Sequence, residues 1–332
     1  MIKIQEFEMN RFCLRFLLAF CLPGLIVSLS WAQNFPTKPI KIIAPFAAGG
    51  LADTLARTLS EKLSRALNQP VIVENKMGAG GNVGADAVAR AEADGYTLMM
   101  SSAGILTINQ FLYPSMSFDA NTAFAPIALV ADMPMILVVR KDLPARNLSE
   151  FLSLAKNTPG GLFYGSPGNG TTGHLGMELF MHATSLKLQH VPYKSAAEAV
   201  QAALAGQTTS MFDNPPTIMA HIKSGNLRAL GVASKERMAQ LPDVPTLMEG
   251  GISNFEASSW FGLVAPAKTP KPIIDKLSVE TAKALKDPEL QSKFYQAGAK
   301  LIGNSPEQFS LIIAEDKIRW EKVIKAANIK LQ

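Results

Sequence analysis

Cysteine is almost missing from this chain. Of 332 residues only Cys13 and Cys21 carry a thiol, and both precede residue 33. With the leader described below removed, no disulfide, thiol nucleophile or Cys-ligated zinc can be built. Histidine is scarce too, at four residues. His174, His182, His190 and His221 contain no H-x-x-x-H pair, and His174 and His182 would lie about two turns apart on one helix, too far to share a metal. Each therefore reads as a satisfied surface or supporting histidine, with His174, near a helix start, the exception. Charge is sparse: 18% of residues are charged, with 32 Lys and Arg against 27 Asp and Glu. No long run of like charges occurs, and no basic stripe is interleaved with aromatics, so nucleic acid is excluded as a partner. What the chain does have is apolar bulk. Hydrophobic residues make up 48% of it, which rules out a disordered chain, and its length points to two domains.

The first residues decide the compartment. Lys3, Arg11 and Arg15 form a basic start diluted by Glu6 and Glu8, both of which would disappear if Met9 rather than Met1 were the true start. An apolar stretch follows from Phe16 to Leu29, interrupted by Pro23 and Gly24, and ends in Ser30-Trp31-Ala32. A basic start, a short apolar core and a small-x-small ending describe a secretory signal peptide over residues 1–32, cleaved after Ala32, and a periplasmic destination. At about 14 residues the stretch falls short of the roughly 20 that a bilayer-spanning helix needs. Cys21 with Leu18 before it hints at a lipoprotein site, but Phe20 is too bulky for the residue preceding the cleavage point.

From Ile40 onward, strand-like runs alternate with helical patterns. Ile40 to Ala44, Val71 to Val73, Tyr96 to Met100, Met135 to Val139, Gly161 to Gly165, Leu227 to Val232 and Trp260 to Ala265 read as strands. Leu51, Leu55, Leu59, Leu63 and Leu67 repeat at i,i+4 and predict a helix. Ser195 with Glu198 forms a capping box closed by Gly206; Asp287-Pro288 and Ser305-Pro306-Glu307-Gln308 open two more helices. The last should bury Phe309, Ile312, Ile313, Trp320, Val323 and Ile324 on one face. This alternation means α/β with largely parallel sheets.

Three glycine-bearing loops stand between a strand and a helix: residues 45–53, 76–84 and 165–174. Glycine lets a backbone approach a ligand closely, and the helix that follows offers unpaired N–H groups and a positive dipole end. Such a loop binds an anion without Arg or Lys, or else merely turns a tight corner, the reading that fits the second loop best. Gly168-Asn169-Gly170-Thr171-Thr172-Gly173 matches the dinucleotide pattern G-x-G-x-x-G, but His190-Val191-Pro192-Tyr193 stands where its acidic partner belongs. A hydrolase fares no better, because Ser166 is not in a G-x-S-x-G elbow and only proximity to His174 and Asp213 could make it a triad.

These residues carry a resemblance. Pro45-Phe46-Ala47-Ala48-Gly49-Gly50-Leu51-Ala52-Asp53 resembles the P-F-x-x-G-G-x-x-D segment of the Bug family, the extracytoplasmic receptors of tripartite tricarboxylate transporters. The match continues through Val73-Glu74-Asn75-Lys76, Gly78-Ala79-Gly80-Gly81-Asn82, Asp94-Gly95-Tyr96-Thr97-Leu98, Gly165-Ser166, His174-Leu175, Val191-Pro192-Tyr193-Lys194, Ala205-Gly206-Gln207, Pro242-Asp243-Val244-Pro245-Thr246 and Trp260-Phe261-Gly262-Leu263. Departures are Ala47, Ala48 and Leu51 in the first loop and Ser195 where the family has Gly.

The resemblance implies a two-domain α/β clamp of the periplasmic-binding-protein (type II-like) class, with a central cleft and a hinge of crossing strands near 135–140 and 259–265. Domain 1 would combine 34–137 with 260–332, and domain 2 would be 138–259. It implies a carboxylate held between the first and third loops. Phe46 would wall the pocket beside Ala48, Gly50 would supply a backbone donor, and Asp53 would open the first helix or simply cap it. Ser166, Asn169, Gly170, Thr171 and Thr172 would bind a second carboxylate with His174 nearby, while Ser101, Ser102 and Asp213 would line the middle. The function implied is a solute-binding protein that is not an enzyme, needs no cofactor or metal, acts as a monomer and hands its ligand to integral-membrane transporter subunits. The rival readings are a periplasmic sensor and an exported hydrolase.

Overall fold

The computed structural model describes residues 35–329; the signal segment, its cleavage point, Cys13 and Cys21 lie outside the described residues. Along the chain run β1 (Ile40–Ala44), α1 (Leu51–Leu67), β2 (Val71–Asn75), α2 (Asn82–Ala89), β3 (Thr97–Ser102), a π-helical turn (Gly104–Ile108) continuing into α3 (Asn109–Leu112), and β4 (Phe124–Pro134). Then come β5 (Ile136–Arg140), α4 (Leu148–Asn157), β6 (Phe163–Ser166), α5 (Thr172–Thr184), β7 (Gln189–Pro192), α6 (Ala196–Leu204), β8 (Ser210–Asp213), α7 (Pro215–Lys223) and β9 (Leu227–Val232). The chain ends with β10 (Ser258–Pro266), α8 (Lys271–Leu285), α9 (Pro288–Gln296), β11 (Lys300–Leu301) and α10 (Pro306–Ala327).

Two sheets result, ordered β11-β4-β10-β3-β1-β2 and β7-β6-β8-β5-β9. Each is covered by helices on both faces, so its strands are apolar at successive positions rather than alternating with polar residues. Ile42, Leu98 and Met100 enter one core, while Ile43 and Met99 enter the core on the opposite face. Leu137 and Val139 likewise separate from Ile136 and Val138. The leucine repeat of α1 does what its spacing demands: Leu55, Leu59 and Leu63 are fully buried against the first sheet. Each such side chain contributes roughly 1.5–3 kcal/mol by leaving water. The helix starts are capped as expected, Ser195 accepting from Glu198 N–H, Asp287 from Glu289 and Leu290, and Ser305 forming a full capping box with Gln308.

The sheets are mixed, not largely parallel as the strand–helix alternation predicts. In the first, β10 runs antiparallel to both β3 and β4, and the short β11 antiparallel to β4; in the second, β5 runs antiparallel to β8 and β9. β5 and β10 are reversed because they enter from the other lobe. Met135 links β4 directly to β5, and the chain returns through Ala233 and Ala257 into β10. The three residues close a buried knot: Met135 N–H donates to Ala257 O (3.0 Å), Ala257 N–H to Ala233 O (3.0 Å), and Ala233 N–H to Met135 O (2.8 Å). The polarity has a geometric consequence. β10 starts at this hinge, so β3, antiparallel to it, ends there, with Ser102 opposite Phe261. β5 also starts at the hinge, so β8 ends there, with Asp213 opposite Ile136. The carboxyl edges of both parallel strand sets therefore converge on the hinge.

A third connection spans the lobes. Phe309 of α10 packs on the first sheet, whereas Trp320, Val323 and Ile324 near its far end sit in the core of the second, with Phe151 and Phe180. The last helix, expected within the discontinuous unit 34–137 plus 260–332, thus also packs into the core of the second sheet.

Gly262 admits Phe309: a Cβ there would overlap the buried phenyl ring. Gly262→Ala should cost about 1–3 kcal/mol or more through overpacking, read as a lowered urea midpoint with an unchanged slope.

Candidate functional site

The first loop is held from within. Asp53, in the first turn of α1, is 3% exposed and accepts three hydrogen bonds, from Gly49 N–H (2.9 Å) and Arg57 Nε (3.0 Å) on one oxygen and from Asn75 Nδ2 (2.8 Å) on the other, which also pairs with the Arg57 Nη2 charge at 3.0 Å. Asn75, the last residue of β2, also donates to Phe46 O (3.1 Å) and accepts from Arg57 Nη2 (3.0 Å). The loop between Phe46 and Gly49 is thereby pinned at both ends, and Gly49 supplies the positive φ (79°) that closes it. Arg57, then Gly49 N–H and Asn75, hold the Asp53 carboxyl at about 2 against the opposing effect of burial.

Two residues of this loop are turned inward. Asp53 is the loop's anchor, both of its oxygens engaged by Gly49, Asn75 and Arg57. Gly50 does not offer its amide outward either, since that N–H closes a turn on Ala47 O (3.2 Å). Gly50 is instead the N-cap of α1 and brings no capping side chain, so the first turn of that helix is left open beside Phe46 and the exposed Ala48. β1 and β3 are parallel neighbours, which sets Ser101 and Ser102 at the same edge. Ser101 Oγ is buried with no hydrogen-bond partner among the described residues. In the second glycine loop, glycine serves close packing at Gly81, where a Cβ would meet Ile105 (2.6 Å) and Phe46 (3.3 Å).

The third loop joins β6 to α5 and is also pre-formed. Thr171 is the N-cap of α5, accepting from His174 N–H (3.4 Å) while its hydroxyl donates to Gly168 O (2.7 Å). Gly170 N–H donates to His174 Nδ1 (3.0 Å), and Gly168 N–H to Ser166 Oγ (3.1 Å). Gly170 and Thr171 therefore shape the loop, leaving the side chains of Asn169 and Thr172 without a hydrogen-bond partner among the described residues.

Below the loop lies a cluster that sequence reading missed. Ser166 Oγ is 2.6 Å from His190 Nε2, whose ring stacks on His174 at 3.9 Å and on Tyr164 at 4.8 Å. An acceptor Nδ1 on His174 requires the proton on Nε2, which faces Glu178 Oε1 at 3.6 Å. Tyr164 donates to the same oxygen (2.7 Å). Burial, with His174 adding to it, pushes His190 down to about 4, so the stacked ring is neutral near pH 7. Burial works to raise Glu178, but its bonds from His174 and Tyr164 outweigh that and lower it. Of the two readings open for His190, surface or supporting, the geometry has it as half-buried support for the loop. The conceivable triad is not assembled: Ser166 is fully buried and meets His190, not His174, and Asp213 Oδ1 takes Asn214 N–H (2.7 Å).

Asp213 ends β8 beside this loop. It is 3% exposed, its Oδ2 has no hydrogen-bond partner among the described residues, and burial raises its carboxyl to about 7. Neither loop contains Arg or Lys. Among the described residues, no three His, Cys, Asp or Glu side chains are grouped to hold a metal, and no helix is long and apolar enough to cross a membrane.

Two lobes, a hinge of crossing strands and strand ends converging on it define a clamp of the periplasmic-binding-protein class. The chain belongs to the tripartite tricarboxylate transporter receptor family, whose model matches residues 55–329. It is 36% identical to Protein BugT of Bordetella pertussis over 302 residues, 91% of this chain and 93% of that protein. R. palustris Rpa4515, solved with adipate, matches with a TM-score of 0.78 at 34% identity, covering 90% of this chain and all of that one. MatC (Rpa3494) from Rhodopseudomonas palustris, solved with bound malate, gives 0.74 at 32%, covering 87% and 100%. These relatives are substrate-binding receptors rather than enzymes.

Removing the charge at Asp53 should loosen the first loop. A carboxyl held at about 2 stabilises the fold above its ordinary range near 4 and loses that contribution as pH falls toward 2. Urea unfolding of Asp53→Asn should show a deficit of about 1–3 kcal/mol near neutral pH that shrinks on acidification.

Proposed function

We propose that this chain is an extracytoplasmic receptor that captures a small organic mono- or dicarboxylate and delivers it to membrane subunits of a tripartite tricarboxylate-type transporter. The observation that carries the reading is the pair of pre-formed loops, 45–50 and 166–172, at converging strand ends. Each opens a helix, and neither contains a cation. Phosphorylated ligands carry more charge and recruit arginine forks, whereas a carboxylate is satisfied by helix-start amides and hydroxyls. The adipate and malate in the two relatives are of the same chemical class.

In this reading the α1 amino terminus, beside Phe46 and Ala48, receives one end of the ligand, and Asn169 and Thr172 receive the other. Ser101, Ser102 and Asp213 border its middle. Asp53, Gly50, Ser166, Gly170, Thr171 and His174 hold the two loops in shape. One lobe is built from 35–134 with 258 onward, the other from 136–257 with the distal part of α10, and ligand draws them together. Bonds to a charged group contribute roughly 1.5–3 kcal/mol each, and about four to six of them, less the cost of association, suit a micromolar complex near −8 kcal/mol. A receptor that must release its load needs no more. The protein is exported to the periplasm and works as a monomer.

A thermal-shift panel tests the ligand class. A cognate carboxylate at a hundredfold excess over its Kd stabilises by about 2.7 kcal/mol, raising Tm by several degrees, while its amide or ester should not. Asn169→Ala with Thr172→Val should weaken binding at least about tenfold without unfolding the free protein. A sugar or nucleotide that shifts Tm where no carboxylate does would refute the assignment. Intact-mass measurement of exported protein should give a chain beginning at Gln33; a species retaining Cys21 would refute the cleavage.

A further inference from the structure

The most unusual group at the hinge is an acceptor with nothing to accept. Asp213 Oδ2 is buried without a partner, and Asn214 Oδ1 beside it is in the same state. Ser101 Oγ, at the hinge end of the other lobe's β3, is also buried and unpartnered. A buried polar atom left unpaired costs about 1–3 kcal/mol, more when charged, so such a set is expected where a ligand completes it.

No cation offsets Asp213. The ionisable groups on the elements packed against β8 are Tyr164 on β6, His174, Glu178 and, at the far end, His182 on α5, Glu198 on α6, and Arg140 at the far end of β5; α7, which follows β8, adds His221 and Lys223. None of them counters the desolvation of Asp213, whose only stabilising contact is Asn214 N–H. An ionised Asp213 at this position would repel an arriving carboxylate. With one proton added, the same oxygen becomes a hydroxyl donor, the kind of group a carboxylate needs.

We propose that Asp213 is protonated in the bound complex, taking one proton from solvent as an anionic ligand enters, so that capture is proton-coupled and tightens as the medium acidifies. The proposal rests on the carboxylate reading above and adds a specificity element to it. The proton forms one O–H bond on the Asp213 carboxylate, and no other bond is made or broken. Burial that lifts this carboxyl to about 7 places the transition within the pH range a periplasm experiences.

The test is isothermal titration of the full chain with adipate and, separately, malate, in two buffers of different ionisation enthalpy. If only the protonated form binds, Kd should rise roughly 20-fold from about pH 6.5 to about pH 8.5, with proton uptake approaching one per ligand at the upper end. Asp213→Asn, whatever its absolute affinity, should change Kd less than about twofold over that range and take up no proton. A flat wild-type profile, tighter binding at higher pH (the mark of an ionised Asp213 receiving a ligand hydroxyl or ammonium), or an unchanged slope in the variant would overturn it. The wild-type proton count decides the matter even if the variant fails to fold. Binding without proton uptake counts against this inference alone; no binding of either acid at any pH counts against the carboxylate reading as well. Infrared difference spectra of the unliganded protein should show an acid carbonyl band that disappears as pH rises through about 7 and is missing from Asp213→Asn; its absence from the wild type overturns the proposal without any ligand.

Discussion

β5 and β10 run against the strands around them, and this polarity determines where the polar groups of the molecule collect. Both strands begin at the knot formed by Met135, Ala233 and Ala257, so the parallel strands beside them must end there. In an α/β layer a helix follows each such end, and its first amides face the gap. Two lobes joined in this way cannot avoid directing their helix starts at a shared space. The site follows from connectivity before any particular side chain is considered.

Side chains then decide how rigid that space is. In both lobes most polar atoms of the loops bind the loops themselves: Asp53, Asn75 and Arg57 in the first, Ser166, His190 and His174 in the second. The one arginine near the first loop is consumed by Asp53, which keeps the cleft edge neutral. Pre-organisation of this sort lowers the entropy lost on binding and lets a modest number of hydrogen bonds suffice.

Much of this was legible in the sequence. The leucine repeat, the capping residues and the strand-loop-helix rhythm gave the α/β layers because each is a local signal with a local cause. The P-F-A-A-G-G-L-A-D segment marked the first loop, but not the role of Asp53 as its anchor. Arg57, one turn further on, was the available clue, since an i,i+4 acid–base pair consumes the charge of both partners. β4 was hidden by Pro126, Asp132 and Pro134, residues that depress strand signals; tertiary pairing with β10 and β11 overrides them. β7 and β8 are four-residue strands, too short to show a period. His190 could not be distinguished from a surface histidine because its partners lie 16 and 24 residues away in sequence, on α5 and β6.

The last helix sets the mechanics of the clamp. At about 1.5 Å per residue, the 22 residues of α10 make a rod of roughly 33 Å. Its body packs against the turn that follows Ser102, and its distal part against α5, whose amino terminus carries Thr171 and Thr172. A stiff rod fastened to two bodies forbids their simple separation. Any rotation of one lobe must bend the rod or slide Trp320, Val323 and Ile324 across their seat, and both movements produce an opposing torque. The helix thus ties the two lobes together independently of the knot at Met135, Ala233 and Ala257.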